Sequence, residues 1–297
     1  MRVFVTGATG FVGTAVVPEL IQAGHQVIGL TRSDAGAETL RQVGAEAHRG
    51  SLEDLDSLRS GAAKAEGVIH CAFDHDFANF AANCEKDARA IGAMGEVLKG
   101  SQRPLVITSG TGLGTKEPGT PATEDYFNPE YFNPRKASEV AGAALTEQGV
   151  NVSVVRLPQV HDTAKQGLIS YMLPMVRERG VSAYVGEGLN RFSAAHVSDV
   201  GRLYRLVLER AEPGARYHAV AEEGVTARAI AEALGRGLKV PVRSIAPEEV
   251  AAYFGWMQIF VGADMSASSR WTQEQLGWHP TGPDLITDLD GMDYASA

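Results

Sequence analysis

The chain begins with a short apolar segment that leads directly into a glycine-rich turn. The turn reads Thr-Gly-Ala-Thr-Gly-Phe-Val-Gly at residues 6–13, and an apolar segment with helical periodicity follows over residues 14–23. A helix that starts at such a turn offers unpaired backbone amides and a favourable dipole to an anion. Because its glycines have no side chains, the turn lets a diphosphate approach the backbone closely. The residues expected to contact it are Gly7, Thr9, Gly10, Phe11, Val12 and Gly13.

Strand-like and helix-like segments alternate through the first 110 residues, which predicts a parallel sheet with right-handed crossovers. We expect an α/β fold with a doubly wound parallel sheet and a smaller C-terminal substrate lobe. The first domain should span residues 1–160, its sheet completed by residues of about 190–220, and the lobe should occupy most of 161–297. Later helices are expected over residues 134–148, 197–210 and 227–238.

Composition narrows the functional classes. The chain is 44% hydrophobic and 21% charged, which is typical of a soluble globular protein, so we expect a cytoplasmic protein without a membrane partner. The net charge of −9 argues against a nucleic-acid partner, because phosphate backbones require clustered positive charge. Cys71 and Cys84 are expected to be reduced thiols, and no metal site is expected. Among the classes of partner considered, we therefore expect a small-molecule substrate.

The glycine spacing resembles that of the extended short-chain dehydrogenase/reductase superfamily, which includes nucleotide-sugar epimerases and dehydratases. Four other segments, at residues 68–72, 155–158, 192–199 and 276–280, resemble segments of that family in the same order. The resemblance implies a Rossmann sheet and a nicotinamide dinucleotide cofactor. It also implies that the ends of two strands contact the cofactor, through Cys71, Ala72, Phe73, Leu157 and Pro158.

The residues after the second strand bear on the choice of cofactor. An acidic residue there would bind the ribose hydroxyls of NAD, whereas this chain has Arg32 and Ser33. A guanidinium forms charge-assisted hydrogen bonds to phosphate, which favours NADP over NAD. The alternative is that Arg32 is a solvated surface charge. Ser51 is a candidate contact for the adenine ring.

The superfamily's catalytic pattern is a tyrosine followed four residues later by a lysine. Here Tyr131 is followed by Arg135, with Lys136 one position beyond. Arginine can bind ribose hydroxyls but cannot relay a proton. The Asn-Pro pair at 133–134 is typical of a helix start, so Tyr131 would precede the helix that carries Arg135. Tyr131 is therefore either the proton donor or a loop aromatic, with Tyr126 as the next candidate.

The position of the family's catalytic hydroxyl also departs from the usual pattern. The family's hydroxyl usually lies about two residues past the first serine or threonine, where this chain has Gly110. Ser109 and Thr111 flank that glycine. Either could bind a substrate carbonyl, or both could cap the turn.

Three ionisable groups follow the fourth strand, at Asp74, His75 and Asp76. They suit acid/base chemistry, because His titrates near neutral pH and the carboxylates would raise its pKa. The alternative is that an aspartate caps a helix.

Further candidates lie in the C-terminal lobe. His161 is a possible pocket wall, and aromatic segments that include Trp256 could line an apolar substrate pocket or form ordinary core. Arg191 matches a position that binds nucleotide phosphate in sugar epimerases.

Together these features predict an NADPH-dependent oxidoreductase that reduces a small, mainly apolar carbonyl or imine-like substrate. Two alternatives remain: a nucleotide-sugar epimerase or dehydratase with bound NAD, and a non-catalytic NADP-sensing regulator. The resemblance also implies a homodimer that packs through the helix after the fourth strand and the helix after Arg135.

Overall fold

The computed structural model describes residues 1–295. Its strands are β1 (Arg2–Thr6), β2 (Gln26–Thr31), β3 (Glu46–Arg49), β4 (Gly67–His70), β5 (Leu105–Gly110), β6 (Val152–Leu157), β7 (Gln159–His161), β8 (Ser182–Val185), β9 (Arg191–His196), β10 (Arg216–His218), β11 (Glu222–Thr226) and β12 (Val242–Ile245). Its helices are α1 (Gly13–Gln22), α2 (Asp34–Gln42), α3 (Leu55–Ala63), α4 (Phe80–Leu98), α5 (Lys136–Glu147), α6 (Met172–Arg179), α7 (Val197–Arg210), α8 (Ala227–Leu238), α9 (Val250–Phe254), α10 (Gln258–Val261), α11 (Arg270–Leu276) and α12 (Leu285–Gly291).

Seven parallel strands form the large sheet in the order β10-β6-β5-β4-β1-β2-β3. The chain runs outward from β1 to β3 and then returns to the other side of β1 with β4. This reversal is a topological switch point, where ligands bind at the carboxyl ends of the strands. The predicted doubly wound parallel sheet is confirmed.

Helices cover both faces of the sheet, because the strands between them are apolar on both sides. Val3, Val5 and Ile69 belong to a buried cluster with residues of α1 and α7. Phe4, Val68 and Ile107 belong to a second cluster with residues of α3, α4 and α5. Burial on both faces is what a parallel sheet requires.

The second half of the chain contributes both to the large sheet with its helices and to a separate, smaller lobe. α7 packs on α1, and β10 adds the seventh strand beside β6. In contrast, β9 pairs with β7 and β11 in a separate three-stranded sheet, and β8 pairs with β12. These small sheets, with α6, α8, α9, α10 and α12, form a lobe beside the carboxyl edge of the large sheet. Within residues 1–295, no helix is both long and apolar enough to cross a membrane.

Candidate functional site

A cleft of about 710 Å³ opens along the carboxyl edge of the large sheet. It is lined by residues at the ends of β1, β2, β4, β5 and β6 or directly after them, including both sides of the switch point. The small lobe contributes residues between 165 and 171, together with Phe260. The volume lies within the range of about 300–1,000 Å³ that is typical of small-molecule sites.

The glycine-rich turn lines this cleft, and two of its glycines are required by close packing. Gly7 has a φ of +67°, and a Cβ there would lie 2.7 Å from the backbone nitrogen of Ala72. A Cβ on Gly13 would lie 2.0 Å from the carbonyl oxygen of Gly7, so α1 packs directly on the turn. Gly10 is exposed, which leaves the outer face of the turn accessible.

The start of α1 can receive an anion. Within residues 1–295, the backbone amides of Phe11, Val12 and Gly13 have no backbone acceptor. These groups are the unpaired donors expected in the first turn of a helix, where the dipole also favours negative charge. Together with Thr9, all of these residues line the cleft. The donor set and the open turn therefore fit a diphosphate.

The end of β2 carries an available cation. Arg32 is exposed, lines the cleft and forms no hydrogen bond or ion pair with another residue in the described part of the chain. Ser33, which was expected beside it in the site, does not line the cleft. Its hydroxyl caps α2 by accepting a hydrogen bond from the amide of Gly36 at 3.1 Å. Ser51 lines the cleft.

The ends of β4 and β6 supply apolar walls. Cys71, Ala72, Phe73, Leu157 and Pro158 all line the cleft. Burial raises the pKa of the Cys71 thiol to about 12. The thiol is therefore protonated at neutral pH, and Cys71 contributes a wall contact rather than a nucleophile.

Of the two candidate hydroxyls, only Ser109 faces the cleft. Its side chain is buried, lines the cleft and has no hydrogen-bond partner among the described residues. A buried hydroxyl without a partner carries a free-energy cost that a ligand oxygen would remove. Thr111 does not line the cleft, because β5 ends at Gly110 and a short 3-10 turn begins. The Thr111 hydroxyl lies 3.5 Å from that of Ser193.

Tyr131 is also outside the cleft. It lies in the loop before α5, which begins at Lys136, so it does not share a helical face with Arg135. Its half-buried ring lies beside Gly112, and burial raises the pKa of its phenol. The family's tyrosine position is therefore not in place for proton transfer in this structure.

Arg135, in contrast, lines the cleft. Its guanidinium lies over the ring of Phe73, with Cζ 4.2 Å from the ring centroid. Nη1 donates to Oδ2 of Asp87 at 2.6 Å, and Nη2 donates to the carbonyl oxygen of Thr108 at 2.9 Å. Lys136, the next residue, does not line the cleft.

The acidic cluster after β4 is largely structural. Asp74 accepts a hydrogen bond from Lys86 Nζ at 2.7 Å, which lowers its pKa, and Asp76 caps a short 3-10 helix by accepting from the amide of Ala78. Asp74 and His75 line the cleft. Contrary to expectation, the pKa of His75 is lowered, because partial burial and the nearby charges of Arg135 and Lys165 outweigh Asp74.

Aromatic rings from both parts of the structure meet at the cleft. Phe77, from the loop after β4, stacks on Trp256 of the lobe with ring centroids 4.4 Å apart. The ring of Tyr171 lies edge-on to both, at 5.2 and 5.6 Å. Phe77, Tyr171 and Phe260 line the cleft, whereas Trp256, which was expected in the substrate pocket, stacks on Phe77 without lining the cleft. We call these four residues the aromatic wall.

Two other expected positions lie elsewhere. His161 does not line the cleft: it is fully buried, and its Nδ1 lies 2.7 Å from Oδ2 of Asp288. The His161 side chain contacts α12 instead of the cleft, because β7 belongs to the lobe's three-stranded sheet. Arg191 is ion-paired with Asp264 at 2.9 Å, so its charge is already neutralised.

The cleft also contains residues that sequence reasoning missed. Lys165 lines it, with Nζ 5.7 Å from the ring centroid of Phe11. Asp87 lies behind Arg135 without lining the cleft. No sequence pattern marks either residue. The density of rings in residues 73–80 is a signal that could have identified Phe77.

The switch-point cleft and its glycine turn define a dinucleotide-binding α/β protein. The chain belongs to the NAD dependent epimerase/dehydratase family, whose sequence profile matches residues 3–221. The resemblance stated from the sequence is thereby confirmed. The family comprises NAD(P)-dependent enzymes, so the protein is related to oxidoreductases, epimerases and dehydratases.

The chain is similar to several known proteins. A protein of Schizosaccharomyces pombe described as uncharacterised is 43% identical over 295 residues, which covers 99% of this chain and 100% of that protein. UDP-glucose 4-epimerase of Streptomyces lividans is 26% identical, with 100% and 96% of the two chains covered. The fold matches that of DesIV, a dTDP-glucose 4,6-dehydratase from Streptomyces venezuelae solved with NAD and TYD bound. The TM-score is 0.76 at 19% identity, with 98% and 95% covered.

Proposed function

We propose that the protein is an NADPH-dependent reductase of a small, mainly apolar carbonyl or imine compound. The observation that carries this proposal is the aromatic wall, of which Phe77, Tyr171 and Phe260 line the same cleft as the glycine turn. Apolar and aromatic surface gains about 25 cal/mol per Å² when it is removed from water, so such a wall favours an apolar substrate.

The proposed preference for NADPH rests on Arg32. Its guanidinium is exposed in the cleft at the end of β2 and forms no hydrogen bond or ion pair with another of residues 1–295, although its charge helps to lower the pKa of Asp74. A phosphate on the adenosine ribose would provide a charge-assisted partner, and NAD lacks that phosphate. Arg135 is the proposed contact for the ribose hydroxyls near the nicotinamide.

The proposed chemistry assigns separate tasks to two side chains. When bound, the reduced nicotinamide supplies a hydride. Ser109 Oγ donates a hydrogen bond to the substrate oxygen or nitrogen, which stabilises the negative charge that develops there. His75 lines the cleft, and its pKa is lowered by partial burial and by the charges of Arg135 and Lys165; it transfers a proton from solvent to that atom. We do not assign Tyr131, since it lies outside the cleft.

A second candidate is a nucleotide-sugar epimerase or dehydratase that recycles bound NAD. It is favoured by the similarity to UDP-glucose 4-epimerase along the whole chain. The ion pair between Arg191 and Asp264 argues against it, because this arginine is the candidate for binding the nucleotide phosphate. An enzyme of this kind should purify with its cofactor bound, whereas a reductase should exchange it.

A substrate panel tests the proposal. Purified protein is mixed with NADPH and with aromatic ketones, aliphatic aldehydes, cyclic imines, or UDP- and dTDP-sugars, and absorbance of the reduced nicotinamide is followed. We expect oxidation of NADPH with at least one apolar compound. Sugar products formed without net change in the cofactor would establish the epimerase instead. Tight binding of NADP without turnover of any compound would indicate a sensor.

We also propose a homodimer that packs through the outer faces of α4 and α5. Val140 on α5 is 46% exposed, and Ala144 lies one turn further along the same exposed face. Other small residues of these helices serve packing within the chain: a Cβ on Gly95 would meet Leu145 at 2.3 Å. Light scattering should give twice the mass of the chain, and a monomer mass would overturn this proposal.

A further inference from the structure

A buried chain of hydrogen bonds lies behind the cleft. Asp87, on α4, is 1% exposed and is held by three side chains. Oδ2 accepts from Arg135 Nη1 at 2.6 Å and from Ser138 Oγ at 2.5 Å, and Oδ1 lies 3.0 Å from His70 Nε2. His70 Nδ1 lies 2.6 Å from Thr6 Oγ1. The chain therefore connects the end of β1 to the start of α5.

The donors and acceptors in this chain of hydrogen bonds determine which of its groups carry hydrogen atoms. Burial would raise the pKa of Asp87, but Arg135, His70 and Ser138 outweigh burial and hold the pKa well below its ordinary value. The ionised carboxylate only accepts, so His70 Nε2 carries the hydrogen. Thr6 Oγ1 accepts from the amide of Ala72 at 3.3 Å and can donate its own hydrogen to His70 Nδ1. Each of these polar groups thus has a hydrogen-bond partner.

The same contacts restrain Arg135. A free arginine side chain has many rotamers, and fixing it costs conformational entropy. Here one guanidinium nitrogen is bound to Asp87, another is bound to the Thr108 carbonyl, and the guanidinium plane lies over Phe73. The Arg135 side chain is 13% exposed, so only a small part of it remains available to a ligand in the cleft.

We propose that Asp87 is the positioning residue of the cofactor cleft. It touches neither cofactor nor substrate; it holds the Arg135 guanidinium in the orientation that binds the cofactor ribose. A guanidinium that is already oriented loses less entropy on binding, which strengthens the complex. This inference rests on the proposed function, because that proposal assigns Arg135 to the cofactor. In this chain, Asp87 thus sets the geometry of an arginine that stands at the position of the family's lysine.

A double-mutant cycle tests the inference. The dissociation constant of NADPH is measured by fluorescence titration for the wild type, Asp87→Asn, Arg135→Gln and the double variant. We expect Asp87→Asn alone to weaken binding by ~10-fold, the scale of coupling between contacting residues. In the Arg135→Gln background, the same change should have no further effect. The matched control is Asp56→Asn, which removes an exposed carboxylate paired with Arg59 at 3.0 Å and should leave binding unchanged.

The outcomes separate this inference from the proposed function. If the wild type does not bind NADPH, the proposed function fails. If the wild type binds, the inference is overturned when Asp87→Asn weakens binding equally with and without Arg135, or not at all. If Asp87→Asn does not fold, His70→Gln replaces it in the cycle. That variant removes the hydrogen bond to Oδ1 of the same carboxylate, whereas Ser138 also accepts a hydrogen bond from Arg135 itself and could not separate the two effects. A ~3-fold loss that disappears in the Arg135→Gln background supports the inference. An additive loss overturns it.

Discussion

Replacing Gly13 with alanine tests how closely α1 must pack on the glycine turn. The new Cβ would lie 2.0 Å from the carbonyl oxygen of Gly7 and 2.8 Å from the Cα of Ala8, whereas ordinary contacts begin at 3.4 Å. Both neighbours are backbone atoms, so rotating a side chain cannot relieve the overlap. The start of α1 must therefore move away from Gly7 by about 1.4 Å.

This displacement should reduce both stability and binding. Overpacking typically costs about 1–3 kcal/mol, and an overlap with backbone places Gly13→Ala near the upper end of that range. A displaced helix also misdirects the amides of Phe11, Val12 and Gly13. Hydrogen bonds to charged groups contribute about 1.5–3 kcal/mol each, so the loss of one or two should weaken NADPH binding by ~100-fold.

Urea unfolding followed by circular dichroism and fluorescence titration with NADPH measure the two effects. The control is Gly262→Ala directly after α10, where φ is −97° and a Cβ would have no neighbour within 4 Å. This control should gain about 0.4–1 kcal/mol of stability and keep its affinity, since alanine suits this φ and reduces the conformational entropy of the unfolded chain. The reasoning is refuted if Gly13→Ala unfolds at the wild-type urea concentration and binds NADPH within ~3-fold of the wild type.

Two further changes test other parts of the site, and a third tests a buried histidine of β10. Arg32→Asp should weaken NADPH binding by ~10-fold or more without weakening NADH binding, because only NADPH carries the extra phosphate and a carboxylate can bind the ribose hydroxyls of NADH; an unchanged preference in titrations would show that Arg32 does not contact the phosphate. Ser109→Ala should lower kcat by ~100-fold with little change in the affinity for NADPH, and an unaltered kcat would remove Ser109 from the chemistry. His218 is buried beside Arg156, and burial followed by that charge lowers its pKa to about 3. The pKa of His218 is higher in the unfolded chain, about 6.5, than in the folded chain, so protonation favours unfolding. The neutral side chain contributes its full stabilisation of the fold above pH 6.5, and this contribution is lost as the pH falls toward 3. The loss should be ~2 kcal/mol at pH 5, and His218→Gln should flatten the dependence seen in urea unfolding; an identical slope would contradict this.

Local patterns in the sequence were sufficient for much of the fold. The helices expected over residues 197–210 and 227–238 have those bounds in the structure, because each begins with a capping residue and has one apolar face. The turn at residues 6–13 could likewise be predicted locally, from the spacing of its glycines. α5 begins at Lys136, two residues later than expected, since residues 134–135 form a turn before it.

The candidate site was less predictable, because its geometry depends on contacts between distant residues. His161 is bound to Asp288, and Arg135 is bound to Asp87; neither partner is near in sequence. The pKa of His75 depends on charges from two other segments, which no local pattern contains. Thr111 and Ser109 differ by only two positions, yet the 3-10 turn that separates their directions becomes evident only in the folded chain.

Isothermal titration calorimetry with NADP+ and NAD+ tests the central claim most directly, which is that the turn at residues 6–13 holds a nicotinamide dinucleotide. The protein is first stripped of bound nucleotide, and its fold is verified by circular dichroism. We predict saturable binding of one dinucleotide per chain, with NADP+ bound more tightly than NAD+. A folded protein that binds neither nucleotide would contradict the claim.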